Sequence, residues 1–155
     1  LKIIITIWKA INMSRYIHYG SAKFDKSKFK VIENIQFFNK PNGGLWGCEV
    51  GTKFGWKEFC ELENIDWVNL SDSFEFELTP EARVLRLHNL DDYVEFRSKY
   101  AINDIGIKLA LGYDFERIAK EYDVIDFKVG ELYMTLYGWD VDSIVVLNPD
   151  VIKVK

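Results

Sequence analysis

The alternation of apolar and polar positions divides the chain into short strands and short helices. Tyr16 to Tyr19 reads as a strand closed by Gly20-Ser21, and Leu45-Trp46 reads as a second after the glycine pair Gly43-Gly44. Between them, Ala22 to Asn42 is polar and loop-like, with Val31, Ile32, Ile35, Phe37 and Phe38 as apolar anchors. Trp56, Phe59 and Cys60 fall at i, i+3 and i+4, which predicts a helix from about Thr52 to Glu63 with Thr52 as its cap. Phe74-Glu75-Phe76-Glu77-Leu78 alternates as a half-buried strand does, Thr79-Pro80-Glu81 turns it, and Arg83 to Leu87 follows as another strand. Asn89 stands where it can cap a helix whose first turn holds Asp91 and Asp92, the charge sign that a helix N-terminus favours. Phe115, Ile118, Ala119 and Tyr122 complete an i, i+3, i+4, i+7 face with Asp114 as the cap.

Toward the C-terminus, Val124 to Val129 reads as a strand, and Tyr133, Leu136 and Tyr137 as a helical turn closed by Gly138. Ser143-Ile144-Val145-Val146-Leu147 begins with serine and then runs apolar without a break, the pattern of a central strand covered on both faces. Asn148-Pro149-Asp150 turns the chain into a final strand over Val151 to Val154. Strands and helices are mixed without βαβ alternation, so the expected fold class is α+β. No repeat, low-complexity tract or linker divides residues 13–155, which reads as a single domain. Leu1 to Asn12 is an apolar extension before Met13 or an additional strand; its apolar run is too short to cross a membrane as a helix.

Composition narrows the partners. A net charge of −4 and a pI near 5.3 argue against a duplex DNA binder, which carries a basic face. Lys23, Lys26, Lys28 and Lys30 form a local basic strip that is either a solvated loop face or a phosphate contact. Aromatic residues make up 15% of the chain, a surplus that suits core packing and also stacking on flat heterocycles. Cys48 and Cys60 have no histidine cluster beside them, so they make no metal signature and suggest a reducing, cytoplasmic setting without a disulfide.

Two stretches carry candidate chemistry. In Arg15-Tyr16-Ile17-His18-Tyr19-Gly20-Ser21, an imidazole that can donate or accept precedes a glycine where backbone can approach a ligand. In Pro41-Asn42-Gly43-Gly44-Leu45-Trp46-Gly47, glycines surround a large flat indole. The plain alternatives are a strand-end histidine satisfied by neighbouring backbone and a turn followed by a core tryptophan. Asp140 and Asp142 precede the apolar strand, where turn chemistry also explains their type.

The order of these elements resembles the ADP-ribosyltransferase fold in its histidine-bearing branch. A strand ending in His and Gly, a Gly-Leu-aromatic strand followed by a helix, an alternating strand and a closing Val-Val-x-Asn-Pro strand cover most of Tyr16 to Ile152. The resemblance implies a split, mostly antiparallel mixed sheet flanked by short helices, with NAD as substrate. His18 would then hold the adenosine ribose and Gly20 the nicotinamide amide, with Tyr19 and Ser21 beside them, although Tyr19 stands where the family has glycine directly after histidine. Gly44 would let backbone approach the ligand and Trp46 would stack on nicotinamide. Arg15 offers a competing reading, because another branch uses a first-strand arginine.

The family's catalytic glutamate opens the last central strand, and here that position is Ser143. The carboxylate would have to come from Asp142 or Asp140, with Glu131 as an outside candidate. The implied function is transfer of ADP-ribose to a macromolecular acceptor, as in a toxin, a phage effector or an anti-defence protein. Two rivals stand beside it: a nucleotide or NAD-derivative binding module without chemistry, and an acidic interaction or inhibitor domain using its aromatic residues as anchors.

Overall fold

A computed structural model describes residues 14–35, 39–102, 112–136 and 138–154. The expectations for Leu1 to Met13, Phe37, Phe38 and Tyr137 lie outside these residues. The strands are β1 (Arg15–Tyr19), β2 (Leu45–Glu49), β3 (Ser73–Leu78), β4 (Val84–Leu87), β5 (Ala101–Ile102), β6 (Gly112–Tyr113), β7 (Val124–Phe127), β8 (Ser143–Val146) and β9 (Ile152–Val154). The helices are α1 (Trp56–Leu62), α2 (Leu90–Tyr100) and α3 (Phe115–Glu121).

Seven strands form one mixed sheet in the order β4-β7-β8-β2-β1-β3-β9, and β5 pairs with β6 apart from it. All neighbours in the large sheet are antiparallel except β4 and β7. A parallel pair needs a crossover, and the chain makes it through α2, the β5-β6 hairpin and α3. The domain is therefore α+β with a mostly antiparallel mixed sheet. The apolar run of β8 lies between β7 and β2, and Ile144, Val145 and Val146 are buried, as a doubly covered strand requires.

Strand pleating sorts the core into two clusters. Ile125, Phe127 and Val145 face one side of the sheet, where they pack with Tyr93, Phe96 and Tyr100 of α2 and with Phe115 and Ile118 of α3. Val124, Ile144, Val146, Phe74 and Phe76 face the other side. Phe76 is fully buried, and removing such a ring from water stabilises the fold by about 1.5–3 kcal/mol.

The helix caps follow the sequence. Asn89 accepts a hydrogen bond from Asp92 N at 2.9 Å to open α2, and Asp114 accepts one from Arg117 N at 3.0 Å to open α3. The third helix departs from expectation. α1 starts at Trp56 rather than at Thr52, because the Thr52 hydroxyl donates to Glu49 O at 2.8 Å and holds the turn after β2. Glu58 instead accepts from Gly55 N at 2.8 Å and fixes the helix start. The loop before β2 is anchored by Ile32, 5% exposed, and not by Val31 or Ile35, which are 73% and 45% exposed. The backbone bridge between Glu33 and Asn42 places Ile32 over the first cluster.

Candidate functional site

β8, β2 and β1 are consecutive neighbours, although they are far apart in sequence. In the β2–β8 ladder Trp46 opposes Val145, and in the β1–β2 ladder Ile17 opposes Cys48. Ile17, Tyr19, Trp46, Cys48 and Ser143 therefore lie on one face of the sheet. A cavity of about 460 Å³ opens on this face, a size typical of small-molecule sites. α1 and the loop after it add Trp56, Trp67 and Val68 to its lining, the segment before β2 adds Lys40 and Pro41, and the turn before β8 adds Trp139, Asp140 and Val141.

The lining is aromatic. Trp46, Trp56, Trp67 and Trp139 all contribute, so four of the five tryptophans border one hollow, Trp8 lying outside the described residues. The rings of Trp46 and Trp139 meet at 5.0 Å and 59°, and Trp139 Nε1 donates to Asn39 O at 2.7 Å, which fixes its orientation. Trp67 is 76% exposed, and its ring lies 6.4 Å from that of Trp56 at the start of α1. The surplus of tryptophan was the sequence signal for this wall. Neither Trp56, Trp67 nor Trp139 belongs to a motif that could have singled it out.

His18 is placed differently from the residues it was grouped with. It opposes Phe74 across the β1–β3 ladder with ring centroids 5.2 Å apart, so its imidazole lies on the face opposite Trp46 and Tyr19. His18 still borders the cavity, and its Nδ1 donates to the Trp46 carbonyl at 2.7 Å. A carbonyl only accepts, so Nδ1 carries the proton of the neutral ring. The β1–β2 ladder pairs Tyr16 with Glu49 and Ile17 with Cys48, and beyond it the imidazole bonds the Trp46 carbonyl. Burial pushes the His18 pKa down, only partly opposed by the bond to Trp46 O, so the ring is neutral at pH 7. The histidine thus matches the plainer alternative of a ring satisfied by backbone, and it positions Trp46 through the main chain.

Tyr19 shares the face of Trp46 and lines the cavity. Burial, with carboxylates of Glu58 and others nearby, raises its pKa and keeps the hydroxyl protonated. Cys48 also lines the cavity, but its Sγ accepts from Trp56 N at 3.3 Å and burial pushes the thiol up, away from the thiolate. Both cysteines are free and buried.

The glycines serve the chain itself. Gly44 has φ +76°, and a Cβ there would lie 2.7 Å from Val146 O and 2.9 Å from Val145 Cγ2. Gly43 has φ +109° and would meet Val31 O at 2.6 Å. The approach that Gly44 permits is to β8, and Gly44 is not on the cavity wall. Gly20 has φ +102° and donates to Asp72 O at 2.8 Å, while Ser21 Oγ donates to Lys23 O at 2.9 Å; neither lines the cavity.

The acids of the turn before β8 are placed differently. Ser143 lines the cavity at the start of β8, and the exposed Asp140 lines it too. Asp142 does not. Its carboxylate accepts from Val129 N at 2.8 Å and lies 3.9 Å from Lys128 Nζ. Glu131 accepts from Leu90 N at 3.2 Å at the head of α2. Arg15 is paired with Glu75 at 2.9 Å. Of the basic strip, Lys26 pairs with Asp150, Lys28 lies 3.9 Å from Asp25 and Lys30 donates to Asn42 at 2.7 Å.

Among the described residues no group of three or more His, Cys, Asp or Glu is arranged to hold a metal ion, and no helix is long and apolar enough to cross a membrane. Compared with protein families, curated proteins and solved structures, the chain matches none.

Proposed function

We propose that this chain is an NAD-dependent, ADP-ribosyltransferase-like protein whose tryptophan-lined cavity receives the nicotinamide and its ribose. One observation carries the reading. The three strands bearing the motif residues, β1, β2 and β8, are adjacent, and Tyr19, Trp46 and Ser143 surround one cavity from a shared face. In this reading Trp46 stacks on the nicotinamide ring, a contact that contributes about 1–3 kcal/mol. Tyr19, the residue directly before Gly20, offers its hydroxyl to the ribose in place of His18.

Among the described residues Asp140 is the one carboxylate on the wall, so it takes the electrostatic role in place of Asp142. As the bond from C1′ to the nicotinamide nitrogen breaks, its electron pair leaves with nicotinamide. The positive charge that develops on the ribose is opposed by the carboxylate. A nucleophile of the macromolecular acceptor then bonds to C1′ and gives up its proton. Ser143 can hydrogen-bond the ribose but carries no charge.

That last fact favours a second reading, a module that binds NAD or a related nucleotide without breaking it. One set of measurements separates the two. The transferase should release nicotinamide from NAD, and Asp140→Asn should abolish release while leaving binding intact. Trp46→Ala should weaken binding at least tenfold, about 1.4 kcal/mol. NAD binding to wild type with no release in the presence of cell extract as acceptor source favours the binding module. Absence of any NAD-induced shift in melting temperature removes both.

A further inference from the structure

Among the described residues Lys40 is the only lysine or arginine that lines the cavity, and it is half-buried. Its stem passes over Gly138, where an added Cβ would meet Lys40 Cε at 3.3 Å; the missing side chain at Gly138, together with φ +86°, makes room for it. The ammonium lies 5.7 Å from the centroid of the Trp46 ring. Among the described residues it forms no ion pair, although Lys26, Lys28, Lys99 and Lys128 each lie beside a carboxylate. Burial pushes its pKa down, and only the more distant Asp140 opposes this. Besides the pull of Asp140, the cation is held by the ring quadrupole, a contact worth about 0.5–2 kcal/mol. It is poorly compensated for the water it has lost.

We infer that Lys40 binds a phosphate of the ligand, so that the cavity selects nucleotides over nucleosides. This rests on the reading of the cavity as a nicotinamide site and adds to it the chemistry beside the ring. A flat ring that stacks on Trp46 displaces the ammonium from the indole face. The lysine then exchanges a cation–π contact for a charge-assisted hydrogen bond, which is stronger. Trp46 and Lys40 thus read the two ends of one nucleoside monophosphate, the base and the phosphate, in a single exchange.

The test is calorimetric titration of the full chain with nicotinamide mononucleotide and with nicotinamide riboside, which differ by one phosphate. Wild type should bind the mononucleotide about tenfold more tightly, as expected for one charge-assisted contact. Lys40→Met should bring the two affinities within about twofold of each other, and Lys40→Arg should restore most of the preference. Circular dichroism shows whether each variant is folded. If wild type binds both ligands without preference, or Lys40→Met weakens both equally, the phosphate role is overturned while the nicotinamide site stands. If neither ligand binds wild type, the nicotinamide reading itself fails and the phosphate role falls with it.

Discussion

Gly44 shows how a motif glycine can look like a ligand contact and be a packing constraint. Its positive φ is a conformation that side chains with a Cβ adopt at a cost of about 1–2 kcal/mol. The Cβ of an alanine would also sit too close to the Val146 carbonyl, which is backbone and cannot swing away. Gly44→Ala should therefore lower stability by about 2 kcal/mol or more in a urea titration, with the residues of the cavity wall untouched in the surviving folded fraction. A variant as stable as wild type would show that β8 can move away from β2.

His18 makes the opposite point, since its chemistry is real but directed at the main chain. Its folded pKa is depressed from the ordinary 6.5 chiefly by burial, so the folded state binds the proton less well than the unfolded chain does. The corresponding stabilisation is complete above pH 6.5 and is lost as pH falls through that value toward the lower folded pKa. Urea midpoints at about pH 7.5 and about pH 5.5 should differ in wild type and differ less in His18→Asn, which keeps a donor for Trp46 O and does not titrate in this range. Equal differences in the two proteins would exclude His18 as the source.

The ends of the strands are held by a different device. Asp123, directly before β7, is 5% exposed and accepts from Arg83 N at 2.9 Å, Arg83 Nη2 at 3.0 Å and Asn148 Nδ2 at 3.0 Å. Arg83 precedes β4 and Asn148 follows β8, so one carboxylate ties three neighbouring strands at one end. Arg83 above all, with Asn148, holds its pKa down at about 2, below the ordinary 3.8. The stabilisation from this group is present above pH 3.8 and disappears as pH falls from there to about 2. Asp123→Asn should cost about 1–3 kcal/mol at neutral pH, because the carboxylate is buried while its Arg83 partner is half exposed. It should also flatten the acid limb of the stability profile, followed by circular dichroism. An unchanged acid limb would assign that limb to other groups, such as Glu121, held at about 2 by Tyr100, Lys99 and Arg117.

Most of these elements were legible because each rests on a local cause. β8 announced itself by an unbroken apolar run, β3 by alternation, and α2 and α3 by their caps. α1 was read too long because Thr52 had a nearer partner in Glu49 O, which sequence spacing does not reveal. The strands that carry the motifs are adjacent and bring Tyr19, Trp46 and Ser143 to one cavity, while the His18 ring turns to the opposite face and Gly20, Ser21, Gly44 and Asp142 stay off the wall. Which side chain of a pair faces the cavity depends on pairing register, and a step of one residue exchanges His18 for Tyr19. Asp140 and Asp142 lie in the turn before β8, where no strand register orders them, and the Asp142 carboxylate accepts from Val129 N. Lys40, Trp67 and Trp139 arrive from loops whose paths no periodicity encodes, whereas Trp56 comes from α1.

Across the molecule, the cavity draws on both halves of the chain, from Ile17 to Ser143, and its base exists only once β8 has inserted between β7 and β2. Such distant pairings form late and slowly, since loop closure precedes any reward for contact. Nascent chains lacking the last strands have no binding surface to offer. Occupancy is consequently a seal on completed folding: a ligand present at a hundredfold its dissociation constant adds about 2.7 kcal/mol to the finished sheet and nothing to any fragment of it. A molecule bound in this hollow would also act as a clasp, protecting the newly joined strands from unravelling and from proteases.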